Sequence, residues 1–381
     1  MNLHVLYVID GLTRSGAEQA LASMAPHWTG AGVRLDVAYF HDRPGLQDVL
    51  AQAGGRLFYL GTSGGRLGRI KRVRSLARRV RPHLIHTTLF EADVAGRVAG
   101  RLSGIPVVSS LVNLAYGPEQ RAADPFARRW RTRAARLADW ATARFVARFH
   151  AISEPVAEVM GRRLRIPHDR IEVIPRGRDQ ERLGRRTPER RARVRAALGH
   201  PGDVPVILAA ARHEPQKGLD VLLRALPEVS RALPDARLVV AGRAGRQTGE
   251  LRGIVDRLGL EGTTSFLGER PDVPDLLCAA DVWAEPSRWE GGPGAMLEAM
   301  ALEAPIVASN LDVYHDAVKD GDTALLVPPD DPRALASAIV DALSDPAAAA
   351  GRAGRARARF LERFTTEKVA HEMLELYRRA L

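Results

Sequence analysis

Short apolar runs alternate with helix-patterned stretches, and the alternation occurs as two successive series, which restricts this chain more than any other feature. The first series has apolar runs near 5–9, 35–40, 56–60, 84–87, 107–110, 149–152 and 172–174, with helical pattern between them, as at 17–28 and 92–102. The second has them at 206–211, 238–241, 264–266, 282–284, 306–308 and 325–327. Runs without polar alternation suit strands buried on both faces, and a helix after each strand makes a parallel sheet covered on both sides. At 381 residues the chain is also long for one core. The expectation is an α/β protein with two Rossmann-like, doubly wound domains at 1–182 and 205–360. An Arg-, Pro- and Gly-rich linker at 183–204, with one helical segment at 189–198, joins them. Helical runs at 332–343 and 347–381 end the chain. Sheets of this kind bind ligands at the carboxyl ends of their strands, so two in tandem place their sites facing one another across a cleft.

Composition removes several function classes. No apolar run approaches the length needed to span a bilayer, and the N-terminus opens at once on a strand-like run with no signal-peptide pattern, which implies a cytoplasmic protein. A single cysteine, Cys278, excludes an internal disulfide, and His83 and His86 are too isolated to suggest zinc. The net charge of +11 is uneven: residues 1–190 hold 32 Lys and Arg against 17 Asp and Glu, while 191–381 hold 24 against 28. The surplus gathers at 69–81 and 128–148, where arginines alternate with Phe126, Trp130, Leu137, Trp140 and Phe145. That pattern fits a basic face toward an anionic membrane or an anionic acceptor; the plainer reading packs the aromatics on a sheet and leaves the arginines in water. No helix-turn-helix, zinc-finger or RNA-recognition pattern accompanies the charge, so a nucleic-acid partner is not expected.

The segment W-E-G-G-P-G-A-M-L-E-A-M at 289–300 carries the chemistry. Glu290 precedes a glycine-rich bend, Pro293 suits the first turn of a helix, and Glu298 lies about 7 to 8 Å further along that helix. Glycines let a ligand approach the main chain, and helix N-terminal N–H groups attract phosphate. An acid at each end of such a bend fits a diphosphate held between two hydroxyl-rich groups, as in a nucleotide sugar. Arg212, at the end of the run 206–211, and Lys217 in the next loop can neutralise a diphosphate leaving group. Gly242 again permits close approach, and Gly268, followed by Glu269 and Arg270, suits a shelf for a nucleobase. After the first strand, Gly11, Ser15 and Gly16 form a loop able to present N–H groups to phosphate, though not as G-x-G-x-x-G.

In this order the motifs resemble the retaining glycosyltransferases of family 4, of GT-B fold. The resemblance rests on S-G-A-E, H-A-I-S-E at 150–154, V-I-P-R-G-R-D at 173–179, Arg212 and Lys217, F-L-G, the segment 279–301, and D-G-D-T-A-L-L-V-P-P. It implies that Arg212 and Lys217 hold the donor diphosphate, that Glu290 contacts the transferred sugar and that Glu298 contacts the ribose. Gly292, Gly294, Ala295 and Met296 would lie along sugar and phosphate, and the Gly11–Gly16 loop would close over the phosphates. It further implies metal-independent front-face transfer from a UDP- or GDP-sugar, no required cofactor, and a final helix, 361–381, returning to the first domain. The acceptor would be a glycan, a lipid-linked sugar or a small molecule bound by the basic N-terminal domain, with peripheral contact to an anionic membrane. Departures exist: Val112 and Asn113 stand where many members carry a histidine, with His86 as the neighbouring substitute, and Arg176 and Arg178 occupy the P-R-G-R-D turn. Competing readings are an epimerase acting on nucleotide sugars and a non-catalytic membrane- or partner-binding module.

Overall fold

The computed structural model describes residues 3–13, 15–115, 129–200, 202 and 204–381, with the backbone alone at 129–131. The chain forms two compact units, Met1–Gly177 with Thr366–Leu381, and Arg178–Thr365. In the first, strands β1 (His4–Gly11), β2 (Arg34–His41), β3 (Arg56–Tyr59), β4 (Leu84–Thr88), β5 (Val107–Leu111), β6 (Arg148–Ala151) and β7 (Ile171–Val173) form one parallel sheet. Its order is β3-β2-β1-β4-β5-β6-β7. In the second, β8 (Val206–Ala210), β9 (Arg237–Ala241), β10 (Thr264–Gly268), β11 (Val282–Glu285), β12 (Ile306–Ser309) and β13 (Leu325–Val327) are likewise parallel, in the order β10-β9-β8-β11-β12-β13.

The absence of polar alternation has the expected cause: each central strand feeds two cores. Val5, Tyr7 and Ile9 of β1 join one apolar cluster while Leu6 and Val8 join another, and in β8 Val206 and Leu208 separate from Ile207 and Ala209 in the same way. Helices begin where the sequence supplies an N-cap and an early proline. Ser153 accepts from Val156 N, Thr187 from Arg190 N, and Asp331 from Arg333 N and Ala334 N, and each helix has proline in its first two positions. Strand order reverses between β1 and β4 and between β8 and β11, so each unit has a switch point where connections part and leave a crevice at the carboxyl ends.

Two boundaries differ from the sequence reading. The stretch 183–204 is not a free linker: Leu183 and Val194, the latter on the helix Pro188–Ala197, are buried in the second unit's core. The run 347–381 is two helices, Pro346–Arg363 and Thr366–Ala380. Between them Phe364 is 1% exposed, and its carbonyl accepts from Arg178 N at 2.9 Å, so a tertiary bond takes the place of the next helical turn. No helix among the described residues is long and apolar enough to cross a membrane. Phe126, Arg128 and the side chain of Trp130 lie outside the described residues. Further along that basic stretch Arg144 sits over Trp140 at 5.4 Å, and Leu137 is exposed.

Candidate functional site

The second unit's switch point is built by a turn pressed against a strand end. After β8 the chain passes Arg212 into the 3₁₀ turn Pro215–Lys217 and then Gly218, whose φ is +60°. A Cβ on Gly218 would lie 2.0 Å from the Pro286 carbonyl oxygen just beyond β11, so only glycine allows the approach. Arg288 locks it: its guanidinium donates to both oxygens of Asp220 at 2.9 Å and to Pro215 O at 2.6 Å, while its N–H bonds Gln216 O at 2.8 Å. Lys217 and Glu290 are thereby brought together, with Nζ 2.5 Å from Oε1. Ser287 Oγ donates to the same oxygen at 2.9 Å, and Gln216 Nε2 reaches Oε2 at 3.3 Å. Both partners of the ion pair are largely buried.

The second acid has its own cation. Glu298, on the helix Gly294–Ala301, accepts from Arg178 Nε at 2.8 Å. Pro293 stands as that helix's N-cap, just outside the first turn where it was expected. Arg212 is exposed; its carbonyl accepts from Glu214 N at 2.8 Å, while its guanidinium makes no hydrogen bond or ion pair among the described residues. Gly242 donates its N–H to the Gly268 carbonyl at 2.7 Å, which joins the β9 and β10 ends. Glu269 and Arg270 lie on the exposed turn beyond, with Arg270 forked onto Asp272 at 2.7 and 2.6 Å. Gly292 and Ala295 are half-buried around the bend, whereas the Met296 side chain is fully buried in the core, so only its backbone can meet a ligand.

Two residues that motif reading passed over stand at the same crevice. Glu285, the last residue of β11, is 8% exposed, and burial, aided by the charge on Glu290, pushes its carboxyl up to about 8 against the pull of Lys217. The Tyr314 hydroxyl adjoins it and is itself raised by burial. The signal in the sequence was a carboxylate closing an otherwise apolar run, V-W-A-E.

The first unit's sites have another character. Ser15 and Gly16 open the helix Gly16–Gly30, but the hydroxyls of Thr13 and Ser15 both donate to the buried carboxylate of Glu18. Gly11 ends β1, and the Arg176 guanidinium lies against Gly16, where a Cβ would be 2.5 Å from Nη1. Asn113 is exposed and Val112 half-buried. His86 is 1% exposed, with both ring nitrogens engaged. His150 Nε2 lies 2.8 Å from Ile174 O, which can only accept, and this orders the rest: Ser110 donates to His150 Nδ1 at 2.7 Å, His86 Nε2 donates to Ser110 at 2.7 Å, and Tyr377 donates to His86 Nδ1 at 2.5 Å. Burial holds His150 at about 4 and His86 well below the usual imidazole range.

Sequence comparison places the chain in a family. A profile described as Glycosyltransferase Family 4 matches residues 14–182, and one described as Glycosyl transferases group 1 matches 204–345. A D-inositol 3-phosphate glycosyltransferase of an Arthrobacter strain is 30% identical over 321 residues, 82% of this chain and 74% of that protein. The chain belongs to glycosyltransferase family 4.

Among other family 4 relatives, the GDP-mannose-dependent monoacylated alpha-(1-6)-phosphatidylinositol monomannoside mannosyltransferase of Corynebacterium glutamicum is 36% identical over 200 residues, 50% of this chain and 51% of that one. The chain thus spans about half the length of the relatives it matches at this level. A crystal structure of Anabaena HepE in complex with UDP has the same fold, with a TM-score of 0.86, 24% identity and coverage of 99% of this chain and 100% of that one. The expected GT-B α/β class agrees with this likeness.

Proposed function

We propose that this family 4 protein transfers a sugar from a UDP- or GDP-sugar to an acceptor, retaining the anomeric configuration. The observation that carries the reading is the Lys217–Glu290 pair at the β8/β11 switch point, with Arg212 unpaired beside β8. Two cations there match a diphosphate. When the diphosphate draws Lys217 to itself, Glu290 is released to accept hydroxyl groups of the sugar, and Glu298 does the same for the ribose by exchanging Arg178. The bond from the anomeric carbon to the diphosphate breaks as the acceptor oxygen bonds to the same face, and the departing phosphate oxygen takes the acceptor proton. The protein's part is positioning and charge stabilisation by Lys217, Arg212 and Glu290, with no metal in the scheme.

The acceptor we infer is an anionic polyol or lipid-linked glycan, bound by the basic first unit at a membrane surface. Relatives whose names specify phosphatidylinositol monomannoside or inositol 3-phosphate support it. Assaying free nucleoside diphosphate with and without inositol phosphates or phosphatidylinositol vesicles tests the whole reading. Release that requires acceptor is the expected result; equal release without acceptor points to an epimerase-type reaction, and no release or binding of any nucleoside diphosphate to a bare binding module.

A further inference from the structure

Glu290 changes partners in the proposed reaction, and the structure contains a group suited to that moment. In the unliganded protein Glu290 takes donors from Lys217, Ser287 and Gln216. If a diphosphate claims the ammonium of Lys217, Glu290 keeps two neutral donors and loses its counter-ion. A second ionised carboxylate close by would then raise the energy of the site steeply, because low-dielectric surroundings weaken charge repulsion little.

Glu285 is that second carboxyl, and its surroundings select the uncharged form. It ends β11 at the switch point and is 8% exposed. By strand alternation Glu285 shares the face of Trp283, which packs into the apolar core containing Met296, Met300 and the ring of Tyr314. The ionisable groups that act on it are Glu290, Lys217, Tyr314 and Glu298, the last already paired with Arg178. Oε2 of Glu285 and the hydroxyl of the fully buried Tyr314 both lack a hydrogen-bond partner of good geometry among the described residues. Buried polar atoms are almost always satisfied, and here a carboxyl and a hydroxyl adjoin at a switch point without a well-formed bond between them. Tyr314 also neighbours Ser287, which holds Glu290 directly, so the line from Glu285 to Glu290 runs through contacting hydroxyls.

We propose that Glu285 is a positioning residue that works as a neutral carboxylic acid, acting through Tyr314 and Ser287 to hold Glu290 in place once a nucleoside diphosphate has engaged Lys217. The proposal rests on the function given above. Ionisation of Glu285 sets a second negative charge beside Glu290 and loosens it, so kcat/KM, which reports the free protein, falls as the medium becomes alkaline, around the value of about 8 at which burial leaves this carboxyl. Gln reproduces the neutral acid in shape and hydrogen bonding but cannot ionise.

Two measurements on the full chain test this. The first is the infrared difference spectrum of wild type minus Glu285→Gln, in which a protonated carboxylic acid carbonyl band is expected at pH 7 and lost at pH about 9. Its absence at pH 7 overturns the proposal whether or not the protein transfers sugar. The second is the pH profile of acceptor-dependent nucleoside diphosphate release. Glu285→Gln is expected within about threefold of wild type at pH 7 and to lose the alkaline decline, while Glu285→Leu, checked for folding by its thermal transition, falls at least about tenfold in kcat with little change in donor KM. An unchanged alkaline decline in Glu285→Gln, or a loss at pH 7 equal to that of Glu285→Leu, overturns it. A wild type that shows the infrared band but releases nucleoside diphosphate with no acceptor at all refutes the function, and with it the role given to Glu285.

Discussion

The same pattern of strand order carries opposite chemistry in the two units. In the first unit, Tyr377, His86, Ser110 and His150 form a closed chain of neutral hydrogen bonds ending on a backbone carbonyl, and every ring nitrogen is used. In the second, Lys217 with Glu290 and Arg178 with Glu298 are partly buried ion pairs, and Glu285 and Tyr314 beside them are incompletely bonded. A polar network with all its groups satisfied holds strands β4, β5 and β6 and the helix Thr366–Ala380 in register. The other is made of charges held in place by Arg288 and Gly218, and on the function proposed above it trades its partners for a ligand. Charge and satisfaction, more than fold, separate the two networks.

The contrast can be broken most severely at Glu290. Glu290→Ala is expected to lower turnover about 10²- to 10³-fold while nucleoside diphosphate binding persists, since the lost contact matters at the transferring sugar; steady-state kinetics beside calorimetric binding reads both. The counterpart in the first unit is His150→Phe, which leaves Ser110 and Ile174 O without their partner. A stability loss of about 1–3 kcal/mol with unaltered nucleoside diphosphate affinity is expected, followed by denaturant unfolding with a probe on the first unit. A smaller effect sharpens the comparison through pH. The His150 ring is held at about 4 when folded and titrates near 6.5 when unfolded, so between these values the unfolded chain binds more protons and folding weakens as pH falls. The stability gap between wild type and His150→Phe should therefore be full above pH about 6.5 and close progressively toward pH about 4. A gap independent of pH would mean that the imidazole is not buried neutral.

Much of this is legible in the sequence, for reasons that differ by region. The run read at 206–211 is the strand Val206–Ala210, because a strand inside a parallel sheet needs apolar residues on both faces and such runs stand out. Glu290 in a loop and Glu298 on a helix followed from glycine, proline and helix-former placement, which are local properties. The Lys217–Glu290 contact was not legible, since it depends on Gly218 folding against Pro286 across a long sequence separation. Nor was the break at 364–365, where local pattern continues the helix and the bond from Arg178 N to Phe364 O ends it. The histidine chain draws on three strands, the segment after β7 and the last helix, so no window of sequence contains it. Glu285 reads locally as an ordinary polar strand end; its burial is tertiary.

The central claim, that the second unit's ion pair opens to a diphosphate, is tested most directly by calorimetric titration of wild type and Lys217→Ala with UDP, GDP and the corresponding nucleosides. The account predicts that Lys217→Ala weakens diphosphate binding about 10- to 100-fold, the worth of one charge-assisted hydrogen bond, and leaves nucleoside binding nearly unchanged. Equal weakening of both, or of neither, would contradict it.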